Sequence, residues 1–385
     1  MNSSTGFRLR GRDWLIDLSE VEKIYPLVVE YRRHIHENPE LGMDTLETKN
    51  YVKKLANDLG YSIKEVGNGL IVDSGKSPTV ALRADMDSLP IVESTGLSFS
   101  SKVKGRMHAC GHDLHTSVLM GVMIYCKRMN LKPVRFIFQP GEEIGRGAAM
   151  MIDGGAMEGI AHTFGLHSWP ALNVGEYSIC RGKAMAAVDE FEIKVKGAGG
   201  HGGYPHLAYD TVLESSRIIQ YLLTVPARRI NPLESAVLSI GRINGGTANN
   251  IIPAEVTIGG TVRTYRKEDS QIIESEVNKL KGEHVEVAYH RELPPLINDE
   301  KFAKQIDAVA CEYVKPVLAQ PTMGGEDFAY YCEKAPSAFA FLGTGKIRGK
   351  EVSKHSDIFD INEEALKYGM MLHLSALNAV FEVLK

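Results

Sequence analysis

Between Met107 and Thr116 the chain reads Met-His-Ala-Cys-Gly-His-Asp-Leu-His-Thr. Cys110 and His112 flank a glycine, which lets the backbone turn tightly enough for both side chains to reach one point. Thiolate plus imidazole is a ligand set for zinc or a similar divalent metal. Asp113 is placed to orient His112 from behind, as metal-bound histidines require. For any one of these residues a buried thiol or a satisfied core histidine is the competing reading. The density of ligand atoms in a single glycine turn favours metal binding.

Three further stretches offer matching chemistry. Gln139-Pro-Gly-Glu-Glu143 presents two adjacent carboxylates. Beside a metal they can divide labour, one coordinating and the other taking a proton from an activated water and passing it to a leaving group. A solvated acidic loop is the alternative, and Pro140 and Gly141 at a strand end argue against it. His167 closes the apolar run Phe164-Gly-Leu166, and His355 lies in Lys354-His-Ser-Asp357. Alone, each histidine reads equally well as structural. Together Cys110, His112, Glu143, His167 and His355 overfill one tetrahedral zinc. Two metals with a shared ligand fit the count better.

These residues need elements to hold them. Thr79–Arg83, Val134–Phe138 and His162–His167 are apolar strand runs, each ending in ionisable residues. Helix-separated strands of this kind form a mainly parallel sheet with a common carboxyl edge, where open α/β sheets build their sites. The spacing predicts a helix over 116–129 and another after Asp44, with Glu47 in capping-box position. From Asp189 the pattern changes: Phe191–Lys196 alternates strictly. The order β-α-β-β-α-β that follows is a ferredoxin-like unit. After Pro294-Pro295 the first style returns, with helices expected over 301–313 and 362–384. The expected architecture is α/β, a mainly parallel-sheet dimetal catalytic domain (1–187 and 296–385) interrupted by an inserted ferredoxin-like α+β domain (188–295).

Composition narrows the class. Across 385 residues, 44% are hydrophobic and the formal charge is -4. That charge argues against a nucleic-acid footprint or a polybasic membrane patch. The five cysteines are scattered and odd in number, which fits a reducing compartment better than a disulfide framework. Met1–Trp14 carries three arginines and no apolar core of a signal peptide. A soluble cytoplasmic protein is the expectation.

The stretches Met107–Thr116, Gln139–Glu143, Gly165–His167 and Gly324-Gly-Glu-Asp-Phe328 resemble the M20 metallopeptidases, in particular their amidohydrolase branch. Tyr31–Leu41 and Leu82–Pro90 look like its other signatures, and the resemblance runs from about Arg32 to the C-terminus. That branch includes N-acyl-amino-acid deacylases, hippurate and indoleacetyl-amino-acid hydrolases, N-acetyl-diaminopimelate deacetylases and some carboxypeptidases. The resemblance implies that Glu142 is the general base. It implies that Cys110, His112, Glu143, His167 and His355 hold two divalent ions, with zinc, manganese, cobalt and nickel all acceptable to such a set. Asp85 stands where many relatives carry a histidine ligand and is not counted as one here; Asp87 falls behind the ligands. The insert resembles the family's lid and dimerisation domain. By that resemblance His201, in Gly199–His206, stabilises the oxyanion in the other subunit of a homodimer. Asn250 binds substrate near the same oxygen, and Arg263 grips a substrate carboxylate. The implied activity is amide hydrolysis of N-acyl amino acids or small peptides. The rivals are an N-acetyl-diaminopimelate deacetylase and a non-catalytic conjugate-binding protein on the same fold.

Overall fold

The computed structural model describes residues 16–346 and 352–383, so Met1–Trp14 and Leu384 lie outside the described residues. Helix α1 (Leu18–Glu37) begins where the Asp17 carboxylate accepts from the N–H groups of Ser19 and Glu20. Helix α2 is Leu46–Asp58. It does not use the expected Asp44 capping box. Its N-cap is Thr45, and the Glu40 carboxylate accepts from the Glu47 and Thr48 N–H groups, each at 2.9 Å. A carboxylate from the preceding loop thus does the work assigned to a local one.

Strands β1 (Ser62–Val66), β2 (Gly69–Asp73) and β3 (Val80–Asp85) lead to helix α3 (His112–Arg128). This helix starts four residues earlier than its apolar pattern suggested, so His112–His115 form its first turn. It is buried along its length from His112 to Cys126. Strand β4 (Arg135–Gln139), helix α4 (Gly147–Asp153), and strands β5 (His162–Trp169) and β6 (Glu176–Ile179) follow.

Gly182 opens the second compact unit, made of Gly182–Ile297 and Pro321–Tyr330. Its elements are β7 (Gly182–Met185), β8 (Ala187–Lys196), β9 (Gly200–His201), α5 (Thr211–Arg229), β10 (Ala236–Gly245), β11 (Ile251–Ile252), β12 (Glu255–Thr264), α6 (Lys267–Asn278), β13 (Val285–Leu293) and β14 (Leu296–Asn298). The main sheet runs β10-β12-β8-β13, every neighbouring pair antiparallel. Alternate residues of β8 (Phe191, Ile193, Val195) enter a core with Ile218 and Leu222 of α5 and Ile273 and Val277 of α6. The segment carrying Gly324–Phe328 groups with this unit.

The chain completes the first unit with α7 (Glu300–Ala310), β15 (Lys315–Pro316), α8 (Ala329–Cys332, which straddles the unit boundary), β16 (Ser337–Gly343) and α9 (Ala365–Val383). Helix α7 stops before Tyr313, which the sequence pattern had included. Among the described residues an eight-stranded sheet runs β1-β2-β4-β3-β5-β16-β6-β15. Its centre, β4-β3-β5-β16, is parallel, and β1, β2 and β6 pair antiparallel around it. The parallel strands share one carboxyl edge, carrying Asp85, Gln139 and the end of β5 with His167. No helix among the described residues is long and apolar enough to cross a membrane.

Helices α1, α3 and α9 pack together at Gly121. A Cβ there would lie 2.5 Å from Val28 Cγ2 and 2.8 Å from Met370 Sδ. Gly121→Ala therefore lowers stability by about 1–3 kcal/mol through overpacking, despite alanine's better helix propensity. Urea unfolding measures this; an unchanged or raised midpoint would contradict such close packing.

Candidate metal centre

The turn before α3 is built on Gly111. Its φ is +95°, and a Cβ would lie 2.4 Å from Ser168 Oγ. Ser168 Oγ donates to the Cys110 carbonyl at 2.7 Å, fixing the turn to the end of β5. His112 Nδ1 lies 2.8 Å from the Asp87 carbonyl. A carbonyl only accepts, so Nδ1 carries a proton, and in the neutral imidazole Nε2 keeps its lone pair. His167 repeats the arrangement, with Nδ1 2.8 Å from the Ser168 carbonyl. Its Nε2 is 3.4 Å from Cys110 Sγ.

Asp87 also holds the glutamate pair. Its Oδ1 accepts from the Glu142 N–H at 3.0 Å and its Oδ2 from the Glu143 N–H at 3.1 Å. His112 Nε2 then lies 3.9 Å from Glu142 Oε2 and 3.9 Å from Glu143 Oε1. His355 approaches from the far segment, its Nε2 3.7 Å from Glu143 Oε2. Its N–H donates to the Ala109 carbonyl at 2.8 Å, and its φ is +64°.

Donor atoms of Cys110, His112 and His167 lie within 4.8 Å of one another, as do those of Cys110, Glu143 and His355, and those of His112, Glu142 and Glu143. The three groups interlock through Cys110, His112 and Glu143. Among the described residues His112 Nε2 and Glu143 Oε1 are buried without hydrogen-bond partners. Unpartnered buried atoms of this kind are costly. Both accept, both face the same small space, and a cation satisfies both. Burial pushes the Cys110 thiol up to about 11, against the pull of His112. A bound cation would displace that proton and turn the sulfur into a ligand. The donor set thus fits a pair of divalent ions.

Two neighbours take other work. Asp113 does not orient His112. Its Oδ2 is 2.9 Å from Arg32 Nε and 2.9 Å from His36 Nδ1, and the Asp87 carbonyl orients His112 instead. The helical turn sends these adjacent side chains to different faces. His115 is fully engaged: its Nε2 accepts from the Ser168 N–H at 2.8 Å, so its Nδ1 donates to Asp85 Oδ1 at 2.6 Å. Asp85 is further paired with Arg83 at 2.7 Å. Burial alone would raise the Asp85 carboxyl, but His112, Arg83 and His115 hold it well below the usual carboxylate range. Asp85 is a fixed negative charge, its Oδ2 3.6 Å from His112 Nε2.

His201, Asn250 and Arg263 all lie in the second unit. His201 pairs with Ile251 in the β9–β11 ladder, and the Gly202 N–H donates to the Asn250 carbonyl at 2.7 Å. The His201 side chain is exposed, and its Nδ1 accepts from the Gly203 N–H at 3.0 Å, so Nε2 is the donor facing outward. Arg263 is half-buried on β12 and makes no ion pair among the described residues. The structure describes these residues on their own unit. Sequence reasoning missed Ser168, Arg32, His36 and Asp360. The available signal was the Tyr31–Leu41 stretch, which holds Arg32 and His36 but says nothing of what they touch.

Comparison with known proteins gives the same direction. A family described as Peptidase family M20/M25/M40 matches residues 81–379. The chain is 39% identical over 378 residues to the N-acetyl-L-cysteine deacetylase of Bacillus subtilis, covering 94% of this chain and 89% of that protein. It is 36% identical to thermostable carboxypeptidase 2 of Saccharolobus solfataricus, covering 92% and 95% of the two chains. Among solved structures, a Bacillus subtilis protein described as a dinuclear metal-binding peptidase of the M20 family superposes with a TM-score of 0.79. It is 33% identical, with 94% of this chain and 99% of that chain covered.

Asp87→Asn replaces one acceptor oxygen with an amide that faces a peptide N–H. Metal affinity falls about 10–100-fold, measured by competition with a chromophoric chelator. An unchanged affinity would remove Asp87 from the site's construction.

Proposed function

This chain belongs to peptidase family M20/M25/M40, and from that membership we propose that it hydrolyses the amide bond of N-acyl amino acids, with Glu142 as general base beside a two-ion centre. The observation that carries this reading is the pair of imidazole lone pairs, from His112 and His167, gathered with Cys110, Glu142 and Glu143 at one sheet edge. Divalent ions bound there would supply Lewis-acid polarisation of the scissile carbonyl and acidification of a water. Cys110, His112, Glu143, His167 and His355 would hold them. The metal is whichever of zinc, manganese, cobalt or nickel is available, since this donor set accepts each.

The remaining steps belong to the chain. Glu142 takes the water's proton and returns it to the departing amine. The Asp87 carboxylate holds the Glu142 backbone N–H and so fixes the turn from which the side chain projects. The second unit acts as lid and dimerisation domain. The outward Nε2–H of His201, supplied by a second copy of the chain, donates to the developing oxyanion. Asn250 binds close to that oxygen, and the Arg263 guanidinium takes the substrate carboxylate. An active monomer in solution, by sizing, would contradict the shared site.

Relatives named as a deacetylase and as a carboxypeptidase leave the acyl group open. Acetyl, benzoyl and indoleacetyl amino acids, N-acetyl-diaminopimelate and dipeptides, assayed side by side, rank the substrates. Binding without turnover under full metal loading would favour a conjugate-binding protein instead. Glu142→Gln keeps the metal, counted by elemental analysis, and loses about 10²–10⁴-fold in kcat. Hydrolysis at the wild-type rate would rule out the assigned base.

A further inference from the structure

Arg32 is fully buried in the middle of α1, yet its guanidinium is not spent on its own helix. Nε donates to Asp113 at 2.9 Å, Nη2 to Asp360 at 2.8 Å and Nη1 to Glu363 at 3.2 Å. Asp113 is the residue after His112. Asp360 and Glu363 follow His355 on the segment that brings it in. One side chain therefore joins the two pieces of chain that deliver these donors.

The His355 segment needs such an anchor. His355 has φ +64°, a conformation that costs a non-glycine residue energy and persists only where the surroundings impose it. Its side chain is 55% exposed, and so is not packed into place. The segment is fixed at its start by the His355 N–H on the Ala109 carbonyl and at its middle by Phe359, whose ring lies against Gly111. The Ser94 N–H on the Asp357 carbonyl at 2.7 Å and the exposed Arg33 on Glu363 add to this hold, and the Arg32 fork is the buried one that also reaches α3. His36 steadies the hub from the side, held between Asp113 at 2.9 Å and Glu93 at 3.3 Å. Three separate acceptors on three N–H prongs match a planar guanidinium; a lysine ammonium cannot span them in the same way.

We infer that Arg32 is a positioning residue for one of the two ions: it clamps the His355 segment to the first turn of α3, so that His355 and Glu143 can hold the same cation. This rests on the reading of His355 as a ligand. The clamp acts on one ion because none of the donors in the Cys110, His112 and His167 group comes from that segment.

The test is a Mn²⁺ titration of the full-length protein, resolving stoichiometry and the two dissociation constants. Arg32→Lys keeps the charge and removes the fork. Asp360→Asn, at a partly exposed position, cuts the clamp where a folding failure of the buried variant would hide the answer. Both should bind one ion as the wild type does and the other about 10-fold or more weakly. His355→Ala, as reference, loses that same ion. Wild-type constants for both ions in Asp360→Asn, or equal loss of both ions in either variant, would overturn the clamp. If the wild type binds two ions and His355→Ala still binds both normally, the ligand assignment fails instead, and the clamp with it.

Discussion

One residue, Asp87, sets the directions of three others. Its carbonyl takes the His112 Nδ1 proton, and its carboxylate takes the N–H groups of Glu142 and Glu143. Hydrogen bonds to an ionised carboxylate are about twice as strong as neutral ones, and here they are buried. They fix the backbone of the turn that carries the glutamate pair and leave His112 Nε2 between Asp85 Oδ2 at 3.6 Å and the two glutamates at 3.9 Å. Asp87 lies just beyond β3, the pair just beyond β4, and His112 at the start of α3. The parallel register of β3 and β4, with Asp85 opposite Gln139, is what lets one side chain reach both.

Much of this was legible in the sequence. Apolar strand runs that end in ionisable residues announced the carboxyl edge, and the Phe191–Lys196 alternation announced a sheet with one wet face. The donor candidates stood out because cysteine and histidine are few and the glutamate pair and His167 fall at strand ends. The connections between them were not legible. Asp113 sits beside His112 in sequence but points to Arg32, because a helical turn separates adjacent side chains. Glu40 caps α2 from a loop, a contact that no local motif encodes. The start of α3 was misplaced because Gly111, in a left-handed conformation, stands where a side-chain cap is expected. The stretch 321–330, read as part of the catalytic domain, groups with the second unit, since sequence order does not carry long-range contacts.

Beneath the donors lies a layer of buried charge. Arg83, Asp85 and His115 form one set, and Arg32, Asp113 and His36 another. Removing one partner from such a set typically costs about 3–5 kcal/mol, because the remaining charge stays buried. Hydrophobic residues would fill the same volume without that exposure to loss. The charges instead fix orientation: His115 braces Ser168 and β5, and Arg32 braces the segment of His355. Asp85, held ionised, adds negative potential under a site that must attract cations.

The central claim is that residues from four distant stretches converge on a pair of ions. Crystals grown with manganese or zinc, measured at the metal's absorption edge, test it directly. Two anomalous peaks about 3.5–4 Å apart, one at the Cys110, His112 and His167 group and one shared with Glu143 and His355, are the predicted result. A single peak, or peaks bound elsewhere in the protein, would contradict it.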